Sequence, residues 1–140
     1  MRKVIFAIGV ITLVVSCSVE PQPINYNLDV CSHCKMQITD SRYGTEIVTA
    51  KGKAFKFDSF ECLIDYSKES EVEVGQFMVT SFDQPNVLIN GKESWVIKCE
   101  KMPSPMGRYL TVFKTQDAAQ SVIDELGGEM LPFDEALDQF

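Results

Sequence analysis

A chain of 140 residues is long enough for one compact domain or two small ones, and an apolar share of 45% argues against extensive disorder. The formal net charge of −7 argues against nucleic acid as a partner, because phosphate binding needs a basic footprint. The sequence has no Ser/His/Asp set, phosphate loop or nucleotide fingerprint, and no carboxylate pair placed for acid–base work, so it reads as a non-enzyme.

Arg2 and Lys3 form a positive start, and the apolar run from Val4 to Val15 is too short to remain as a membrane span. Val14-Val15-Ser16-Cys17 then resembles a bacterial lipoprotein processing site. The expected organisation is a signal peptide over 1–16, lipidation of Cys17, a polar, proline-containing tether over 17–29 and a domain over 30–140. That places the chain in the bacterial cell envelope, lipid-anchored and facing the periplasm. Loss of Arg2 and Lys3 leaves 11 basic against 20 acidic residues, a balance of −9. In such a compartment free cysteines oxidise unless paired, metal-bound or protected, so Cys31, Cys34, Cys62 and Cys99 require an explanation.

Glu46 to Ala50 is rich in β-branched residues and reads as a strand. Lys51-Gly52-Lys53 turns into a second strand, Ala54 to Phe57, whose two phenylalanines share one face. Asp58 or Ser59 caps a helix running to about Glu69, with Phe60, Leu63 and Ile64 as its apolar stripe. If Asp58 is the cap, Glu61 reaches back in capping-box fashion. Gln76 to Phe82 and Val87 to Ile89 are strands, and Asn90-Gly91 is a turn signal leading into Ser94 to Cys99. Tyr109 to Phe113 alternates again, Thr115 caps a second helix, and Gly127-Gly128 stops it. Glu129 to Leu131 is a last strand and Phe133 to Gln139 a short terminal helix. The expectation is an α+β fold of two sequential ββαβ-like units, about 30–84 and 85–140, each too small to be stable alone.

Two stretches concentrate soft donors. Cys31-Ser32-His33-Cys34-Lys35-Met36 holds two thiols, a thioether and the only histidine, and Met102-Pro103-Ser104-Pro105-Met106-Gly107 adds two thioethers on a stiff, irregular segment. Thiolate and thioether sulfur select Cu(I) over harder ions. Cys34, Met106, Met36, Cys31 and Met102 are therefore the candidate ligands of one Cu(I) ion. Cys34 and Met36 face the same way if the segment is extended. Met106 is held between a proline that fixes φ and a glycine that permits a turn.

The same residues carry a family resemblance. Cys31-x-x-Cys34-x-Met36-x-Ile38-x-Asp40, the run Phe57 to Cys62, the Met102 to Gly107 stretch and Gly127-Gly128-Glu129 occur in an order that resembles the nitrous oxide reductase accessory protein family, NosL. The resemblance implies a membrane-anchored lipoprotein carrying Cu(I) to an extracytoplasmic copper enzyme such as nitrous oxide reductase. It also implies a fold of two ββαβ-like units. Family members commonly have glycine where Lys35 stands.

Other readings compete on the same residues. Cys31 and Cys34 fit a thiol–disulfide oxidoreductase, although the motif is not followed by the long helix of a thioredoxin-like site. The four cysteines Cys31, Cys34, Cys62 and Cys99 are also a possible zinc staple. Cys62 lies off the apolar stripe of its helix and reads equally as facing the second unit or the metal, or as a half-buried spectator thiol. Cys99 shares a strand face with Trp95 and Ile97 and reads as core. His33 reads as a loop residue or an auxiliary ligand, and Asp58 as a helix cap.

Overall fold

The computed structural model describes residues 19–140; the expected signal peptide, with Cys17, lies outside the described residues. The chain builds two antiparallel sheets. Strands β1 (Thr45–Thr49), β2 (Ala54–Phe57), β3 (Val74–Ser81) and β4 (Gln84–Asn90) form the first, in the order β2-β1-β3-β4. Strands β5 (Trp95–Lys98), β6 (Leu110–Phe113) and β7 (Glu129–Pro132) form the second, in the order β6-β5-β7. Helix α1 (Phe60–Glu69) connects β2 to β3, α2 (Gln116–Leu126) connects β6 to β7, and α3 (Phe133–Gln139) follows directly on β7. Among the described residues the architecture is α+β, with three α-helices.

Side-chain alternation explains the layering. Phe55 and Phe57 leave β2 on the same side, and both pack on Tyr66 of α1, with ring centroids 5.0 and 5.1 Å apart. In the second sheet, Val96, Leu110 and Val112 join Ile47, Phe57, Phe60, Leu63 and Phe133 in one core. The residues between them, Ile97 and Phe113, turn to the other face, where Ala119 of α2 closes a second, smaller core with Cys99 and Met102. The second sheet is thus covered on both faces, and its inward face is shared with the first unit.

Two sequence expectations change here. Asn90-Gly91 is not a hairpin turn. The Asn90 side chain accepts a hydrogen bond from the Lys92 N–H (3.2 Å) and starts a 3-10 turn over Gly91–Glu93, which carries the chain from one sheet to the other. A Cβ at Gly91 would sit 2.8 Å from the Phe133 ring, so the backbone must pass bare at this crossing. Strand β4 therefore completes the first sheet, and the boundary between units falls after Asn90, not at 84/85.

The segment expected as a free tether is, from residue 19 to 29, laid against the domain. Gln76 Nε2 donates to the Val19 carbonyl (3.2 Å), Gln22 N–H donates to Glu46 Oε1 (2.9 Å), and Lys56 Nζ donates to the Pro23 carbonyl (2.7 Å). Ile24 and Tyr26 pack on the first core. This cover explains why all five residues of β1 are buried although a one-sided sheet would alternate. Among the described residues no helix is long and apolar enough to cross a membrane.

Candidate metal centre

The site is organised by the start of α1. Ser59 is the N-cap: its Oγ accepts a hydrogen bond from the Cys62 N–H (3.3 Å), and its backbone is extended. Asp58, expected as a possible cap, is released from that task. Its Oδ2 instead accepts a hydrogen bond from the Cys34 thiol (3.6 Å), and its Oδ1 is buried without a partner. Glu61, expected to close a capping box, turns away toward the second unit. Capping by Ser59 thus leaves two buried carboxylates at the head of the helix for other work.

The thiols come from a tight loop facing this helix end. Cys31 N–H donates to the Met36 carbonyl (2.8 Å) and Lys35 N–H donates to the Cys31 carbonyl (3.1 Å), while Val30 and Gln37 bridge just outside. The segment is therefore a closed turn, not the extended strand that would align Cys34 with Met36. Lys35 takes a φ of +65°, the left-handed conformation that glycine adopts without cost. The turn brings Cys31 and Cys34 onto Cys62 and Asp58. One donor atom from each of these four residues lies within 4.8 Å of all the others. An ion about 2.3 Å from several sulfurs holds them roughly 4 Å apart, so the grouping is of the right size to close on one ion.

The protonation of the cluster is uneven. The Cys31 thiol is lowered to about 6, chiefly because Cys62 donates a hydrogen bond to its sulfur. Donating that bond, together with burial and the nearby Asp58, pushes the Cys62 thiol up. The Cys34 thiol is also raised, first by burial and then by its cysteine and aspartate neighbours. All four described cysteines are free thiols. Cys31 and Cys62 are fully buried, and Cys34 is the partly exposed member through which the cluster reaches the surface.

The surface above is an open groove of about 420 Å³, lined among others by Met36, Tyr43, Asp58, Pro103, Ser104 and Pro105. Residues from both sulfur-bearing stretches therefore border one concavity, with Asp58 at its floor connecting it to the thiols. Met36 is 48% exposed and Met106 is 37% exposed, unusual for side chains that normally fill cores. The Met106 turn is closed by the Gly107 N–H donating to the Ser104 carbonyl (3.0 Å). Gly107 has a φ of +73° with empty space around its missing Cβ, so backbone conformation, not crowding, calls for glycine there.

Three candidates fall elsewhere. Met102 packs in the second core with Ile97, Cys99 and Phe113 and is only 9% exposed, so it fills space under α2 instead of facing the groove. Cys99 lies in that same core, which removes it from a four-cysteine zinc staple. His33 points along α1, its ring nitrogens 3.9 Å from Asp65 and 3.7 Å from Glu69, outside the four-residue cluster. Conversely, Cys62 and Asp58 belong to the cluster without having been singled out as ligands. The off-stripe position of Cys62 on its helix was the available signal; for Asp58 the alternative cap at Ser59 was the only clue.

Comparison with known proteins bears on this geometry. No curated protein matches the chain. Among solved structures, the crystal structure of the copper chaperone NosL from Shewanella denitrificans superposes with a TM-score of 0.73 at 24% identity, covering 84% of this chain and 96% of that one. The likeness extends to the fold. A family model for NosL matches residues 24–139, taking in the packed N-terminal segment from Ile24 onward and the described strands and helices. The chain belongs to the NosL family.

Proposed function

We propose that this protein is a Cu(I) chaperone of the bacterial cell envelope. Signal-peptide removal after Ser16 would lipidate Cys17, and the anchored domain would face the periplasm. There it would hold one Cu(I) for delivery to an extracytoplasmic copper enzyme, with nitrous oxide reductase the first recipient to test. The observation that carries the reading is the set of three cysteine sulfurs gathered within 4.8 Å of one another and of Asp58, whose carboxylate also lines the groove bordered by Met36. Membership of the NosL family and the copper chaperone among its structural neighbours support it.

In this reading Cys31, Cys34 and Cys62 form the soft inner set, and Met36 and Met106 are the outer donors. Asp58 offers a hard oxygen that Cu(I) does not select, so its part is to accept the Cys34 hydrogen bond and steady that thiol. Thioethers need no deprotonation, whereas each thiolate must lose a proton before it can bind. The ion would therefore enter and leave past Met36 and Met106. Cys34, the partly exposed thiol, would be the last sulfur to release it to an incoming donor. The CXXC pair alone does not favour disulfide exchange: Cys31 is sealed from solvent and the motif sits in a loop before β1, with no helix starting at it.

Anaerobic Cu(I) titration against a competing chelator tests the site. One equivalent of tight copper is expected, with Cys34→Ser weakening it by at least about tenfold and Met106→Leu by a smaller factor. Purified protein that holds one zinc through dialysis and resists copper exchange would overturn the reading. Three thiols and a carboxylate also satisfy a tetrahedral zinc site, so the zinc arm has to be run. Cys17→Ser, expected to release the domain from membranes in fractionated cells, tests the anchor. Copper transfer to apo nitrous oxide reductase tests the recipient.

A further inference from the structure

Glu61 is a buried carboxylate with no part in the cluster of thiols. It is 0% exposed, sits beside Cys62 in the first turn of α1, and sends its side chain across to the second unit. There its Oε1 accepts a hydrogen bond from the Ser104 hydroxyl and another from the Leu110 N–H (3.3 Å). The Ser104 hydroxyl in turn accepts from the Tyr109 N–H (2.9 Å). One carboxylate oxygen therefore ties down both ends of the segment that carries Met106. The other oxygen, Oε2, is buried with no partner.

A buried carboxylate one partner short is an expensive way to hold a loop, since apolar packing would serve stability better. What it provides is position. The turn has little packing of its own, with Pro103, Pro105 and Met106 all exposed and open space around Gly107. A second tie runs parallel: Arg108 donates to Asp65 (2.7 Å), one turn along α1 from Glu61. The helix that presents Cys62 to the thiols thus also fixes the height of the thioether turn.

We propose that Glu61 is a positioning residue that sets Met106 at a fixed distance from the thiols before the ion arrives. This rests on Met106 being a copper ligand, as read above, and extends that reading to the residue that places it. Partners behind a metal ligand typically contribute about 10–100-fold to affinity.

A double-mutant cycle decides the matter, read by chelator competition and by the shift of the ¹³C-labelled Met106 methyl on Cu(I) addition. Glu61→Ala should lose as much affinity as Met106→Leu, and the methyl should no longer shift. Combined with Met106→Leu, Glu61→Ala should cost nothing more, because the thioether it places is already gone. Glu61→Gln keeps an oxygen for Ser104 and Leu110 and should restore both affinity and the methyl shift. Ser104→Ala, which breaks the same tie without removing the buried carboxylate, should reproduce Glu61→Ala if that variant does not fold. Losses that simply add in the double variant, or Glu61→Ala and Ser104→Ala at wild-type affinity while Met106→Leu is weak, overturn the positioning role and leave the copper site standing. A silent Met106→Leu removes Met106 from the ligand set and overturns the positioning role with it, while the three thiols are still tested by Cys34→Ser.

Discussion

The two units begin their helices in the same way and use them differently. Phe57-Asp58-Ser59-Phe60-Glu61-Cys62 in the first aligns with Phe113-Lys114-Thr115-Gln116-Asp117-Ala118 in the second. The caps are equivalent: Ser59 Oγ accepts from the residue three along at 3.3 Å, and Thr115 Oγ1 does the same at 3.2 Å. Yet the five residues from Phe60 to Ile64 are all buried, whereas in α2 only Ala119 is. α1 is wedged between two sheets and α2 lies on the outside of one. The same strand-to-helix turn therefore becomes a chemical site only where a second unit closes over it and removes water from its first turn.

The largest effect should come from breaking that difference in burial. Phe60→Ala opens a cavity against Phe133, whose ring centroid is 5.4 Å away, and should cost about 3–5 kcal/mol in denaturant unfolding. Gln116→Ala, at the equivalent exposed position, should stay within about 0.5 kcal/mol of wild type. Equal costs would mean that the two helices share the load, against the layering described.

Exchanging chemistry between the two turns gives the next effect. Cys62→Ala copies the second unit into the first and should weaken Cu(I) binding about a hundredfold, or roughly 2.7 kcal/mol, in chelator competition. Ala118→Cys makes the reciprocal change and should gain no copper, because no described thiol or carboxylate cluster surrounds that position. The pH profile adds a second reading of the same site. The Cys31 thiol lies at about 6, so proton competition at this sulfur is negligible well above that pH and grows as pH falls through it. Cys34 and Cys62 are raised and compete at all lower pH values. A plot of log affinity against pH should therefore steepen by about one unit of slope below pH 6.

The units also differ in what covers the outer sheet face. A helix covers it in the second, and an extended stretch of chain in the first. That stretch seals Glu46, leaving its Oε2 buried without a partner, and burial raises its pKa. A carboxyl raised in the folded state favours folding below the unfolded value near 4.5, and this stability is lost as pH rises through the folded value. Glu46→Gln should thus stabilise the protein at neutral pH by about 1 kcal/mol, with the advantage vanishing below about pH 4.5. An advantage that persists at low pH would place the gain in packing and not in charge.

How much of this was legible in sequence follows from how local each signal is. Strands and helix ends rest on nearby residues: Ser59, Thr115 and Gly127 sit where capping rules put them, and the element order was readable throughout. The location of β4 was not, because Asn90-Gly91 looks the same whether the chain reverses within a sheet or crosses to another. The role of residues 19–29 was hidden for a related reason: a polar, proline-containing segment carries no periodicity, and its partners Glu46 and Gln76 lie far along the chain. In the site, Cys31 and Cys34 were visible as a motif. Cys62 and Asp58 join them only through the three-dimensional approach of α1. The burial of Met102 in the second core was not legible, because its thioether is indistinguishable in sequence from that of Met106, four residues on.

The smallest effect tests the feature the two units share. Removing either cap oxygen leaves one amide N–H at a helix start without its partner. Ser59→Ala and Thr115→Ala should therefore both destabilise, in the usual cap range of about 0.5–2 kcal/mol. They should not be equal. At Thr115, an exposed position, water replaces the lost oxygen, and the cost belongs near the lower end. Ser59 is fully buried, so the Cys62 N–H is left dry and the cost belongs near the upper end. Ser59→Ala should also loosen the first turn of α1, and copper affinity should fall with it, while Thr115→Ala leaves affinity unchanged. Equal unfolding costs, or a copper effect from Thr115→Ala, would show that the two turns are not separated by burial as the layering requires.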